Sequence, residues 1–264
     1  KVMLTVTDST RKGYDMEYTF LEFVSDDQIK SEVQNLIGQV MDILNDATVG
    51  TTIRFRTDQC GKIVKYYNLK DIRKQAKEVL AKAISKMPYA DSLRAVGLNP
   101  DKLMSMIDSD DLVDGYTEEI ELLFNYHGDQ YKIGETESHE DATENEYASD
   151  TKTDIWLDPD TYEYGISADV YSYIPREDIK VLVGNLIEYF TDKESAKDVR
   201  EGLDTEFDSQ VTTDGVYNSY VRINYFNDGW PQEVVSQDNI SLGDRQKLKQ
   251  KYITWDYRSV GHAE

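Results

Sequence analysis

The residues from which chemistry could be built are three histidines, one cysteine and a set of aromatics at element ends. His139 stands in Ser138-His139-Glu140-Asp141, which offers a metal one imidazole and two carboxylates. No second ligand follows at helical or hairpin spacing, so a solvated loop is the stronger reading there. His127 lies in a polar loop and His262 in a terminal tail. The run from Asp108 to Gly115, DSDDLVDG, has the carboxylate density of a calcium loop, but its glycine is at position eight and position five is Leu112. A helix start explains it better, because carboxylates there meet free N–H groups and the helix dipole. Asp158 and Asp160 in LDPDTY fit a turn before they fit a calcium site. GxSxG, HExxH, GxGxxG and P-loop patterns are all missing. With 51 acidic residues, any nominated acid–base pair would be arbitrary. The expectation is a non-enzyme with no catalytic residue, no cofactor and no metal. What remains are Tyr66, Tyr67, Tyr126, Tyr131, Trp230 and Trp255 at strand ends and hairpin turns, as candidate ligand-binding residues. Aromatics so placed stack on sugar rings or line an apolar groove; they also close the ends of a core.

The elements that must position these residues come in two similar sets. DDQIKSEVQNLIG (26–38) and REDIKVLVGNLIE (176–188) share Ile, Lys, Val, Asn, Leu and Ile at a constant offset of 150. Ile29, Val33, Leu36, Ile37, Val40 and Leu44 recur at helical spacing, as do Ile179, Val183, Leu186, Ile187 and Phe190. Before each helix the same offset joins two alternating strands. Met16, Tyr18 and Phe20 mark one buried face, and Tyr164, Ile166, Ala168 and Val170 the other, in phase. Asp8 aligns with Asp158, each in a strand–turn preceding that strand. After each helix, at an offset of 168, IRFRTDQCGKI matches VRINYFNDGWP, with Gly61 and Gly229 at the turns. Asn-Asp-Gly is a strong hairpin signal because these residues tolerate positive φ.

The predicted fold class is α+β: a curved, mostly antiparallel sheet from two ββαββ repeats, with the helices packed on one face and a helical insertion between the repeats. Residues 1–68 would form the first repeat, 69–135 the helical insertion and return segment, and 136–264 the second repeat, within one continuous domain. The insertion opens with an amphipathic helix, apolar at Leu69, Ile72, Ala76, Val79 and Leu80 and basic at Lys70, Arg73, Lys74 and Lys77. Glu135 to Glu163 is expected as a solvated acidic loop, and KYITWDYR as a closing strand with Ile253, Trp255 and Tyr257 on one face.

A net charge of −22 repels phosphate backbones and anionic membranes, which argues against nucleic-acid binding. The lone Cys60 excludes an intramolecular disulfide and a Cys-rich metal site. No apolar run reaches the roughly 18 residues of a membrane-spanning helix. The chain enters strand-like sequence directly at Lys1, without Met, which predicts a removed leader or a trimmed sequence.

The run LIGQVMDILNDATVGTTIRFRTDQCGKIVKYYNLKDI, with YKIGETES and FNDGWPQEVV further on, resembles an uncharacterised family of secreted, lipoprotein-like proteins from Bacteroides-type bacteria. Glu137 stands where that family usually has tryptophan. The resemblance implies export to the periplasm or cell surface of a bacterium, with membrane association only through a lipid anchor on a leader. It carries no catalytic residue. The expected function is a non-enzymatic envelope binding protein holding an apolar or amphiphilic ligand between sheet and helices. The alternative is a surface glycan- or protein-interaction module that uses exposed aromatics.

Overall fold

The computed structural model describes residues 1–23, 45–46, 48–86, 111–144, 146–190 and 207–259. Lys1–Asp129 make most of one compact unit, and Gln130–Tyr189 with Lys193–Glu264 the other. The protein is α+β, with two antiparallel sheets of four and six strands. Among the described residues no helix is long and apolar enough to cross a membrane.

The first sheet has the order β1 (Val2–Thr10), β2 (Gly13–Phe20), β3 (Thr52–Thr57), β4 (Ile63–Tyr66). Its alternation is as expected: Met16, Tyr18, Ile53 and Phe55 are at most 1 % exposed, all on one face. Two helices follow, α1 (Leu69–Lys86) and α2 (Asp111–Phe124). Helix α2 lies on the apolar face, where the Phe124 ring meets Phe55 edge-on at 5.7 Å and Tyr116 meets Phe20 at 6.1 Å. Ile120, Leu123, Ile72 and Ala76 complete this core. Each large apolar side chain so buried is worth about 1.5–3 kcal/mol, which is what holds α2 on the sheet. The helix expected from the stripe Ile29 to Leu44 falls outside the described residues.

The second sheet runs β10 (Arg245–Thr254), β9 (Pro231–Leu242), β8 (Gly215–Tyr225), β7 (Tyr164–Ile174), β6 (Ser149–Leu157), β5 (Gly134–Glu140). Helix α3 (Arg176–Phe190) joins β7 to the segment before β8. The Asp214 carboxylate accepts the Arg176 backbone N–H at its start, at 2.9 Å. Ile179 of α3 lies over Gly215, where an added β-carbon would stand 2.5 Å from its Cδ1. The helix therefore packs on the face that carries Ile166, Ile223 and Val234, all buried.

The registers of the two sheets follow the same offsets as the sequence. Met16 opposes Phe55 and Ile166 opposes Ile223. Phe55 opposes Tyr66, and Ile223 opposes Val234. Each hairpin then bulges at the matching place, between Arg56 and Thr57 and between Asn224 and Tyr225. Gly61 and Gly229 both have φ of 86°. Upstream, however, the spatial match is two residues away from the sequence match. Asp8 opposes Asp15, but the partner of Gly165 is Trp156, because the β6–β7 turn is longer than the β1–β2 turn.

Three expectations are corrected. The strands do not form one curved sheet: the segment after β4 is helical, and β5 pairs back onto β6, so the strands fall into separate four- and six-stranded sheets. Much of the acidic stretch from Glu135 is strand, not loop. Its polar β5 is held by backbone pairing and by cross-strand pairs, Lys152 with Glu135 at 3.4 Å and His139 with Asp150 at 2.7 Å. The closing strand starts earlier and stops earlier than expected, at Arg245 and Thr254, leaving Trp255 and Tyr257 just beyond it.

Candidate functional site

Directly opposed residues of antiparallel strands share a face, so the registers of the six-stranded sheet define rows across it. One face is the α3 side. On the other face, one row runs Trp156, Gly165, Asn224, Glu233, Thr254, from β6 to β10. The next row runs Glu135, Asp154, Ser167, Arg222, Val235, Tyr252. A third runs Glu137, Lys152, Asp169, Tyr220, Gln237, Gln250. Its composition is amide, carboxylate, hydroxyl and aromatic, with few aliphatic side chains.

Gly165 explains the geometry of the first row. A β-carbon there would stand 2.2 Å from Trp156 Cζ2 and 2.4 Å from Cε2, so the indole occupies the space left by the absent side chain. Trp156 is half-buried, and its indole lies against the Gly165 backbone, the close approach that a glycine inside a strand permits. Beside it, Asn224 Nδ2 donates to Glu233 Oε2 at 2.8 Å. Arg222 Nη2 stands 3.4 Å from the same oxygen. The Tyr252 hydroxyl also bonds the Glu233 carboxylate, and this bond to a carboxylate raises its pKa. Arg222 Nε is buried and has no hydrogen-bond partner among the described residues, which leaves a donor unused in the network. Tyr252 is 61 % exposed. The result is an aromatic platform next to fixed donors and acceptors.

Further along the same face, at the β5 edge, a cleft of about 420 Å³ is lined by Glu137, His139, Asp150, Lys152 and Tyr171, with Ser138 and Thr151. Tyr173 OH donates to Asp150 Oδ2 at 2.7 Å. The Asp150 carboxyl lies below its ordinary range because the Tyr173 hydroxyl and His139 bond it, and His139 is raised in turn by Asp150. Among the described residues no group of three or more His, Cys, Asp or Glu is arranged to hold a metal.

The first unit presents the corresponding face differently. Asp15 stands where the second unit has Gly165, and it is tied to Arg56 at 2.7 Å and to the Tyr67 hydroxyl at 2.7 Å. Asp8, not an aromatic, faces it. A cleft of about 790 Å³ opens beside Arg54, Asn68, Asp71, Lys74 and Glu78, with a charged, mixed lining.

The six aromatics picked from sequence are divided three and three between the units. Tyr66 is half-buried, tilted on Phe55 at 6.0 Å, with its hydroxyl donating to Glu121 at 3.3 Å. Burial, and then the Glu121 charge, push its pKa far up. Tyr67 is 46 % exposed, with Lys65 over its ring at 4.9 Å. Tyr126 follows α2 and is half-buried. Tyr131 precedes β5 and is exposed. Trp230 is half-buried in the β8–β9 turn, its carbonyl accepting the Phe226 N–H at 2.9 Å. Trp255 donates its indole N–H to the Pro231 carbonyl at 2.5 Å. None of the six lies in the row of Trp156. Sequence reading missed Trp156, Arg222, Asn224, Glu233 and Tyr252. The available signal was a glycine inside an otherwise regular strand, which marks a close approach by another group. Compared with family models, curated proteins and solved structures, the chain finds no match, so the site rests on its own geometry.

Proposed function

We propose that the protein is a non-enzymatic binding protein of a bacterial envelope, and that the second unit recognises a glycan on the face of its six-stranded sheet opposite α3. The observation that carries this reading is Trp156 seated on Gly165 beside the Asn224–Glu233–Arg222 network. A sugar ring has an apolar face of C–H groups and a rim of hydroxyls that both donate and accept. An indole satisfies the first and a carboxylate–amide–guanidinium set the second. Small-ligand sites in general combine aromatic surface with a few fixed polar groups.

An apolar or amphiphilic ligand between sheet and helices is less well supported. In the first unit the contact between sheet and α2 is filled by Tyr18, Phe55 and Ile120, at 1 % exposure or less. The envelope location draws on the family resemblance alone, and a lipid anchor would supply any membrane attachment. We further propose that the two units are copies of one ββαββ ancestor. The coincident registers and bulges support this, since unrelated hairpins have no reason to share them.

The test is a glycan array probed with the wild type and with Trp156→Ala, alongside a thermal-shift panel of fatty acids and phospholipids. A ligand at a hundred times its Kd adds about 2.7 kcal/mol to the folded state. The expected result is glycan binding that Trp156→Ala abolishes, with no shift from amphiphiles. Shifts with amphiphiles alone, or no glycan signal at all, would overturn the proposal.

A further inference from the structure

Resting on the glycan reading, we infer that the Trp156 face takes an uncharged polysaccharide, laid across the strands over about four sugar units, and turns acidic polysaccharides away. The charge argument begins with strand alternation. β10 carries Arg245, Lys247, Lys249 and Lys251, the densest cationic stretch of the second sheet. Lys247 opposes Ile240 and Lys251 opposes Ser236, which puts these lysines on the α3 side. The face of Trp156 instead receives Gln246, Leu248, Gln250 and Tyr252 from the same strand. A period of two has sorted the cations away from the binding face.

On that face the three rows described above contain Glu135, Glu137, Asp154, Asp169 and Glu233 against Lys152 and Arg222. Both cations are occupied: Lys152 lies 3.4 Å from Glu135 and 3.8 Å from Glu137, and Arg222 pairs with Glu233. The surplus is negative: the unused Arg222 Nε is buried and belongs to a guanidinium already paired with Glu233, so a uronate or sulfate would meet net repulsion. Like-charge juxtaposition of this kind discriminates strongly against the wrong ligand. A hydroxyl, by contrast, can donate to any of these carboxylates at no Coulombic cost.

The length follows from strand spacing. Trp156 on β6 and Tyr252 on β10 are the aromatics at the two ends of the network, four strand spacings apart. At about 4.8 Å per spacing this is roughly 19 Å. The spacing is close to the advance of one sugar in an extended chain, so about four units bridge the two rings. Ser167, Asn224, Arg222 and Glu233 lie between them.

Isothermal titration with oligosaccharides of one to six units tests the inference. The probes are neutral series (glucose, mannose, xylose and galactose), a galacturonate series and a glucosamine series, each at low and high salt. The expected result is that at least one neutral series binds, with affinity rising up to about four units and then level. Galacturonate should be at least tenfold weaker, and Tyr252→Ala should shorten the dependence on length without abolishing binding. Equal or tighter binding of galacturonate, a glucosamine series preferred tenfold with steep salt dependence, or a length dependence that ends at one unit would overturn the inference while leaving the glycan reading intact. Silence from every series would instead remove the glycan reading itself.

Discussion

Trp156 and Gly165 face each other across β6 and β7, and the indole stands where any other residue at 165 would put its β-carbon. The pair is therefore a single device, since a side chain at 165 displaces the ring. Gly165→Ala is expected to lift Trp156 off the sheet, shift its emission towards that of hydrated indole, and lower glycan affinity at least tenfold. The strand itself gains from the change, because alanine holds extended backbone better than glycine. Emission and affinity both unchanged would show that the ring has room to move and that the platform is not fixed by Gly165.

The matching turn glycines give an internal comparison. Both have φ of 86°, so alanine at either costs about 1 kcal/mol or somewhat more from the backbone alone. Their surroundings differ. A β-carbon at Gly229 meets only the Tyr164 hydroxyl at 3.5 Å, whereas at Gly61 it meets the His127 ring at 2.4 Å. Overpacking of that kind adds roughly 1–3 kcal/mol. Gly61→Ala should thus destabilise more than Gly229→Ala in urea unfolding followed by circular dichroism, and equal losses would contradict it.

How far the sequence could be read divides along periodicity. The alternation at Met16, Tyr18 and Phe20, and the turn glycines at Gly61 and Gly229, marked strands and hairpins correctly, because each is enforced locally. The split into two sheets was hidden: whether β4 continues into another strand depends on hydrogen bonding between distant segments, which leaves no periodic trace. β5 was hidden for a related reason. GETESHE has no apolar alternation, since all seven of its residues are exposed and pairing with β6 alone positions it. The site was the least legible. Arg222 aligned with Arg54 as a mere match, and Glu233 was one acid among 51. Only the β8–β9 register, including its bulge, brings Asn224, Glu233 and Arg222 together, and only the longer β6–β7 turn puts Trp156, not Asp158, over Gly165.

Tyr18 is 1 % exposed, and its hydroxyl donates to Glu119 on α2 at 2.7 Å. This bond ties the sheet to the helix through an ionised acceptor, and such bonds contribute about 1.5–3 kcal/mol. Tyr18→Phe keeps the packing and removes the bond, so a loss of about that size is expected. Tyr66→Phe is the control. Its partner Glu121 is exposed and 3.3 Å away, so the loss should stay below about 1 kcal/mol. Thermal unfolding of the two variants would decide it, and a larger loss for Tyr66→Phe would contradict the assignment.

The edge strand β5 carries a pH dependence whose sign can be worked out. His139 has a raised folded pKa, chiefly through its bond to Asp150, so its contribution is complete below the unfolded value near 6.5 and fades as pH rises through the folded value. Asp150 has a depressed folded pKa, chiefly through the Tyr173 hydroxyl and then His139. Its contribution is complete above the unfolded value of about 3.9 and fades as pH falls through the folded one. Both hold between about pH 4 and 6.5, so β5 should be best protected from amide exchange in that window once intrinsic rates are divided out. Above it, protection of Glu137 to Glu140 should fall while that of β8 stays level. In His139→Gln the fall above pH 6.5 should vanish, because the amide still donates but no longer titrates. Were the variant to keep the wild-type fall, the dependence would have to come from groups other than His139.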